Sequence, residues 1–178
     1  MTNHPADRNS HFFQLARRTA FLESLQSIGL TSQPNWVVEG DHTLEGGRDA
    51  MRKMLGLRKL PTAVMCSNDM TAIGVQHALF EANLRVPDDF SLIGFDDIHL
   101  AEYTIPPLTT VRMSCHELAQ RAVSCLFSRL EADGGAIEAV MSITTRLVVR
   151  KTTGLPKNSL SDLKPGMHSR ARKTKLAC

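Results

Sequence analysis

The sequence has no long hydrophobic run. None of the apolar stretches in its 178 residues approaches the roughly 18 residues that a membrane-spanning helix needs. The N-terminus reads Met-Thr-Asn-His-Pro-Ala-Asp-Arg, which is polar and lacks the apolar segment of a secretory signal. These absences predict a cytoplasmic protein that does not associate with a membrane.

Cysteine is scarce and its spacing is uninformative. The four cysteines form no Cys-x-x-Cys pair and show no metal-ligand spacing. Cys66 lies in a short apolar run, and Cys125 lies among apolar residues of a predicted helix. We therefore expect reduced, mostly buried thiols, with no metal site and no cofactor.

The motifs of several enzyme classes are missing. The sequence has no G-x-S-x-G nucleophile turn, no P-loop and no G-x-G-x-x-G motif. Asp96, Asp97 and His99 would suit a metal-dependent hydrolase, but they lack a defined ligand spacing. The acidic pair also suits a phospho-receiver, which would carry that pair after an early strand instead of a late one. We predict a protein without catalytic residues that is not an enzyme.

The net charge is unevenly distributed. The whole chain carries +3, which makes no case for binding nucleic acid. Residues 157–178 hold a charge of +5, which leaves −2 for residues 1–156. This segment has few apolar residues and no aromatics to stack bases, so a solvated, disordered basic tail is favoured over one that attracts nucleic acid or a membrane surface. Residues 1–10 are also predicted to be disordered, and residues 11–156 form the folded domain.

Residues 61–112 organise the rest of the chain. Two short apolar runs, at residues 63–66 and 90–95, suit strands that are buried on both faces of a parallel sheet. Asn68-Asp69 follows the first run, and Asp96-Asp97 follows the second. Ligands of open α/β sheets bind outside the carboxyl ends of the strands, so these side chains predict a binding site there.

The same residues resemble the effector-binding domain of the LacI/GalR family of bacterial transcription regulators. The shared motifs are an Asn-Asp pair that opens a helix, the string Val-Pro-Asp-Asp-Phe-Ser-Leu-Ile-Gly-Phe-Asp-Asp from Val86, and Pro-Pro-Leu-Thr-Thr-Val from Pro106. The resemblance extends over residues 17–154. It implies an α/β fold with a periplasmic-binding-protein-like parallel sheet flanked by helices. The chain would hold mainly the C-terminal subdomain and an incomplete N-terminal subdomain.

The resemblance implies four ligand-binding residues. Arg17 matches the family arginine of Arg-x-x-Gly-Phe, with Ala20 in place of the glycine. His42 stands after Gly-Asp, where the family often has an aromatic residue that packs on the effector. Asn68 and Asp96 follow the two predicted strands. The alternatives are a solvated helix charge for Arg17 and a helix N-cap for Asn68.

Their neighbours receive weaker assignments. Asp69 stays ambiguous between a cap and a ligand contact. Asp97 is predicted to cap a short helix over residues 98–102. The other predicted elements are helices and strands in alternation. They are helices at 11–28, from 44, at 70–82 and at 114–133, and strands at 35–39, 108–112 and 142–150.

The function implied by the resemblance is effector sensing in transcription. The expected partners are a small effector, a sugar or nucleoside-like molecule, and a second copy of the chain in a homodimer. DNA would be bound only through a headpiece for which this sequence has no room, and the helix at 114–133 would leave apolar residues exposed where the other subdomain normally packs. A sugar-binding protein of a transporter shares the fold and is the alternative. It requires export, for which the N-terminus gives no signal.

Overall fold

The computed structural model describes residues 5–131, 142–156 and 176–177. Within these ranges, helices and strands alternate along the chain. The helices are α1 (Pro5–Ser27), α2 (Leu44–Leu55), α3 (Asp69–Glu81) and α4 (Cys115–Glu131), and the strands are β1 (Ala63–Met65), β2 (Ser91–Asp96), β3 (Thr109–Arg112), β4 (Arg146–Val148) and β5 (Leu176–Ala177). Short 3₁₀ helices form at Pro34–Trp36 and His99–Glu102.

The strands form one mixed sheet in the order β4-β3-β2-β1-β5. β1 runs parallel to β2, with Ala63 opposite Ser91, and β2 runs parallel to β3, with Asp96 opposite Arg112. β4 pairs antiparallel with β3, as is common for an edge strand on a mostly parallel sheet. The predicted α/β fold with a helix-flanked sheet is therefore confirmed, with β4 as the reversed strand.

The hydrophobic core lies between the sheet and the α2–α3 pair. Its large buried side chains include Trp36, Met51, Leu79, Phe90 and Leu92. α2 and α3 pack so closely that a Cβ atom on Gly74 would lie 1.9 Å from the Leu44 carbonyl oxygen. Only glycine fits at that position, because the backbone of the neighbouring helix occupies the space of a side chain.

Three helix ends are fixed by local caps. The Thr43 side chain accepts a hydrogen bond from the Gly46 N–H at 2.9 Å and so caps α2. Gly29 follows α1 with a φ of +73°, the left-handed conformation that favours glycine at a helix C-terminus. Ser114 caps α4 by accepting from the Glu117 N–H at 3.2 Å.

The chain returns to the sheet after β4 and fastens two of its strands. The hydroxyl of fully buried Thr152 donates to the Leu92 carbonyl at 2.7 Å and accepts from the Thr109 N–H at 2.8 Å. Arg150 donates to the Leu108 carbonyl at 2.8 Å. These bonds join β2 and β3 through residues about 40 to 60 positions later in the sequence.

The strand predicted at 35–39 is wrong. Pro34–Trp36 is a 3₁₀ helix that begins at a proline, whose missing N–H costs nothing in the first turn. Trp36 is buried in the core, and its indole N–H donates to the Lys59 carbonyl at 2.9 Å.

Two segments predicted to be disordered contain regular structure where they are described. α1 begins at Pro5, so residues 5–10 are helical, and a proline is tolerated in a first helical turn. Within the predicted tail at 157–178, Leu176–Ala177 pairs with the edge of β1, whose backbone groups are open to an extended segment. Residues 1–4, 157–175 and 178 lie outside the described residues.

Helix α4 leaves an apolar stripe exposed, as predicted. The exposed fractions of its large apolar side chains range from 41% to 69%. These residues are Leu118, Val123, Leu126, Phe127 and Leu130. None of the described helices combines the length and the apolar character that a membrane crossing would require.

Candidate functional site

Three of the four predicted ligand-binding residues meet around Ser67, in the loop that follows β1. Arg17 donates from its Nη1 to the Ser67 carbonyl at 3.2 Å. The Nδ1 of His42 lies 3.0 Å from the Ser67 hydroxyl oxygen. Asn68 donates from Nδ2 to the His42 carbonyl at 2.9 Å. Three separate segments, α1, the loop before α2 and the loop after β1, therefore converge at the carboxyl end of the sheet.

Arg17 also connects this group to β2. Its guanidinium carbon lies 4.0 Å from the centroid of the Phe95 ring, within the range of a cation–π interaction. Phe95 directly precedes Asp96 in β2. Arg17 itself is exposed, but its guanidinium makes these two contacts with the protein.

The loop that carries His42 is fixed by a local hydrogen-bonded turn. Asp41 accepts from the Thr43 hydroxyl at 2.7 Å and from the Thr43 N–H at 3.0 Å. These bonds from Thr43 lower the pKa of Asp41. His42 has a φ of 64°, an uncommon conformation for a residue other than glycine. The turn thus fixes the backbone on which the histidine is carried.

Asn68 has a structural role in the described protein. Its Oδ1 accepts from the Thr71 N–H at 2.8 Å and so caps α3, while its Nδ2 holds the His42 carbonyl. The capping alternative from the sequence is therefore what the structure contains. The ligand contact proposed for Asn68 stays a prediction, and it would require the amide to share or exchange one of these bonds.

Asp69 lies fully buried beneath the site. Its two carboxylate oxygens accept from the Thr110 hydroxyl at 2.6 Å and from the Ile98 N–H at 2.8 Å. Burial raises the pKa of Asp69, and these hydrogen bonds oppose that change. Asp69 therefore links the start of α3 to β3 and to the segment after β2, and both of its carboxylate oxygens are bonded within the protein.

Asp96 is the fourth predicted site residue. It is partly buried at the end of β2, and its φ is 106°. Among the described residues, no group donates a hydrogen bond to its carboxylate. Burial, followed by the charge of Asp69, raises the pKa of Asp96, while Arg17 and His42 lower it. The ionisation of Asp96 is therefore coupled to two other predicted site residues, Arg17 and His42.

The prediction for Asp97 is wrong. The following 3₁₀ helix has no side-chain cap, and Asp97 instead forms ion pairs with Arg112 and Arg150. The Arg150 Nη2 lies 2.7 Å from Asp97 Oδ1, and the Asp97 side chain is only 2% exposed. Burial raises the pKa of Asp97, but the hydrogen bonds from Arg150 and Arg112 bring it below its usual value. Two cations outcompete a helix cap for a buried carboxylate.

Sequence reasoning missed the residues that connect the site. Ser67 and Phe95 hold Arg17, yet neither residue type carries a functional signal alone. Their positions beside Asn68 and Asp96 were the available clue. Within the described part of the chain, no group of three or more histidine, cysteine, aspartate or glutamate residues forms a metal site.

The chain is similar to known proteins in sequence and in fold. The model of the periplasmic binding protein-like domain family matches residues 5–153. The HTH-type transcriptional repressor PurR of Pasteurella multocida is 41% identical over 136 residues, which cover 76% of this chain and 40% of that protein. PurR of Haemophilus influenzae is 38% identical over 138 residues, with 76% and 41% covered. The chain thus spans about two fifths of the length of these relatives.

Solved structures of transcription regulators are also similar. The Escherichia coli repressor ascG matches with a TM-score of 0.68 and 31% identity over 78% of this chain and 49% of its own. A LacI-family regulator from Sanguibacter keddieii is 37% identical, with a TM-score of 0.68 and coverage of 78% and 52%. The CelR–cellobiose complex has a TM-score of 0.71 and 27% identity, with coverage of 78% and 42%.

A mostly parallel sheet flanked by helices, with polar groups gathered at its carboxyl end, defines a ligand-binding α/β domain. The chain belongs to the family of periplasmic binding protein-like domains, in the form found in LacI-type transcription regulators. The resemblance to the LacI/GalR effector-binding domain that the sequence predicted is confirmed.

Proposed function

We propose that this chain is the ligand-sensing domain of a LacI-type regulator and binds a small polar effector between Arg17, His42, Asn68 and Asp96. The observation that carries the proposal is the Asp96 carboxylate, which is partly buried and lacks a donor among the described residues. Because Asp96 is only partly buried, its carboxylate is open to hydrogen bonds that a ligand would donate in place of solvent.

The chemistry of the site favours a ligand that donates and accepts hydrogen bonds. Sugar hydroxyls would donate to Asp96 and accept from Arg17, and a nucleoside-like ring would in addition stack on His42. A sugar is the class we propose. It is supported by two similar structures, the CelR complex with cellobiose and a LacI-family regulator from Enterococcus faecalis with bound ribose, which is 29% identical with a TM-score of 0.60 over 65% of this chain.

Effector binding would act on transcription through the whole regulator, in the cytoplasm and without catalysis by this chain. A ligand that binds one subdomain arrangement more tightly shifts the population toward it and changes DNA affinity. A homodimer is part of the proposal. It is supported by three apolar side chains on α3 and the segment after β2: Phe80, Tyr103 and Ile105 are 79%, 62% and 93% exposed.

The proposal is tested by thermal melts with cellobiose, ribose, phosphate and adenosine. A ligand that binds only the folded state stabilises that state and so raises the melting midpoint. At a ligand concentration of 100 times the Kd, the added free energy of unfolding is about 2.7 kcal/mol. We expect a shift with a sugar that is lost in Asp96→Asn. The control variant is Asp88→Asn, which removes an exposed carboxylate paired with Arg85 and should keep the shift. A shift of equal size in Asp96→Asn would refute the assignment of Asp96.

A further inference from the structure

The backbone at Asp96 and Asp97 is held in an unusual conformation. Their φ values are 106° and 56°, so two consecutive residues other than glycine lie on the positive side. Such conformations are strained and persist only where the surroundings over-determine them. The surrounding residues must therefore hold the backbone of Asp96, which is the proposed ligand contact.

The constraint comes from both sides of the Asp96 residue. On the N-terminal side, β2 pairs with β3 as far as Asp96, which lies opposite Arg112. On the C-terminal side, the Ile98 N–H is held by buried Asp69 at 2.8 Å. Between them, the Asp97 carboxylate is held by the side chains of Arg112 and Arg150.

The two arginines are fixed by different parts of the fold. Arg112 ends β3, and Arg150 follows β4 and donates to the Leu108 carbonyl at 2.8 Å. Arg150 is largely buried, with a side chain that is 15% exposed. Because the Asp97 carboxylate is bound to two separate strand ends, rotation of the Asp96–Asp97 backbone would break an ion pair on at least one of them.

We infer that Asp97, Arg112 and Arg150 form a positioning cluster that fixes the Asp96 carboxylate in its ligand-binding orientation. The ligand-binding role of Asp96 in this inference rests on the proposed function, while the geometry of the cluster does not depend on it. Asp97 touches no ligand itself. It acts through the backbone it shares with Asp96, so its loss should allow residue 96 to relax toward a negative φ.

The test compares Asp97→Asn with wild type and with Asp88→Asn, whose ion pair with Arg85 is exposed. Asparagine keeps the shape of aspartate and tolerates the left-handed conformation, so only the charge is removed. NMR chemical shifts and the amide–Hα coupling of residue 96 report its φ without any ligand. We expect them to change in Asp97→Asn and to match wild type in Asp88→Asn.

Titration with cellobiose, ribose and adenosine gives the second readout, at a temperature well below the melting midpoint of each variant. For any of these that binds wild type, the Kd in Asp97→Asn should rise on the order of tenfold to a hundredfold, as expected for a misdirected charged hydrogen bond. If Asp97→Asn does not fold, Arg112→Gln removes the more exposed arginine and should change both readouts in the same direction.

The outcomes separate the two proposals. A wild-type φ signature at residue 96 in Asp97→Asn overturns the positioning role, whatever the ligand result. An unchanged Kd with a lowered melting midpoint overturns it too, because it leaves Asp97 a purely structural role. If none of the three compounds binds wild type, the sugar assignment fails, while the NMR comparison still decides the positioning role.

Discussion

Replacing Asp96 with glycine should remove ligand binding and stabilise the fold relative to alanine at the same position. With a φ of 106°, any residue carrying a Cβ atom is strained by on the order of 1–3 kcal/mol. Glycine avoids this strain but costs about 0.5–1 kcal/mol more conformational entropy than alanine. The difference leaves Asp96→Gly more stable than Asp96→Ala by up to about 2.5 kcal/mol. Both variants lose the carboxylate, so their difference isolates the backbone.

Urea unfolding of the two variants measures this difference directly. Thermal melts give a second measure. In a chain of 178 residues, a difference of 1 kcal/mol in the free energy of unfolding shifts the melting midpoint by about 2–4 °C. We therefore expect Asp96→Gly to melt above Asp96→Ala, by up to about 10 °C. Titration with cellobiose or ribose should detect no binding to either variant under conditions where wild type binds.

The reasoning would be refuted by the opposite order of stability. If Asp96→Gly is less stable than Asp96→Ala, residue 96 does not have a strained backbone in the free protein. If both variants bind as tightly as wild type, the carboxylate is not a ligand contact. Wild type provides the reference for both comparisons.

Three other predictions follow from the same structure. Gly94→Ala should destabilise the fold by about 1–3 kcal/mol in urea unfolding, because its Cβ would lie 2.1 Å from Asp69 Oδ1; Gly56→Ala, with 3.3 Å to its nearest neighbour, should stay within about 1 kcal/mol of wild type. The lowered pKa of Asp97 stabilises the fold above its ordinary value of 3.8. Urea midpoints should therefore show the advantage of wild type over Asp97→Asn disappearing as pH falls below that value, and an advantage that persists in acid would contradict the assignment. Phe127 is 58% exposed, so Phe127→Glu should reduce self-association in light scattering without lowering the melting midpoint. Equal scattering by the variant and wild type would show that the apolar stripe of α4 does not mediate self-association.

The parts of the fold that follow from local chemistry were predictable. The caps at Thr43, Asn68 and Gly29 are each set by residues within a few positions. The apolar runs also located β1 and β2, but the expected burial on both faces is not complete: only alternate residues of each strand are fully buried.

The parts that depend on distant partners were not predictable. Trp36 lies in an apolar run that suits a strand, yet Pro34 and the Lys59 carbonyl determine its conformation. Asp97 reads locally as a helix cap, and only folding brings Arg112 and Arg150 to it. The orientation of β4 was also hidden, because nothing in three residues specifies the direction of an edge strand.

For the candidate site, the sequence located the strand ends but not their connections. The position of an acidic pair at the end of β2 followed from the sequence, while the choice of Asp96 over Asp97 as the ligand contact came from the family resemblance. Both amide atoms of Asn68 form hydrogen bonds within the protein. This arrangement depends on the path of the loop that carries His42. Such contacts between loops are set by tertiary packing and leave no periodic signal.

The residues that join β2 to β3 lie far along the sequence, and this has a consequence for folding during synthesis on the ribosome. Strands β2 and β3 are complete by residue 112. Thr152, which joins the two strands, and Arg150, which pairs with Asp97, are synthesised about 40 residues later. At about 5–20 residues per second, a nascent chain spends seconds without these bonds. During that time the acidic end of β2 lacks one of its two cations, and the exposed stripe of α4 has already been made. The proposed effector site thus gains its Arg150 contact only late in synthesis, and slow translation of residues 113–152 would prolong the time for which the apolar stripe of α4 is present without that contact.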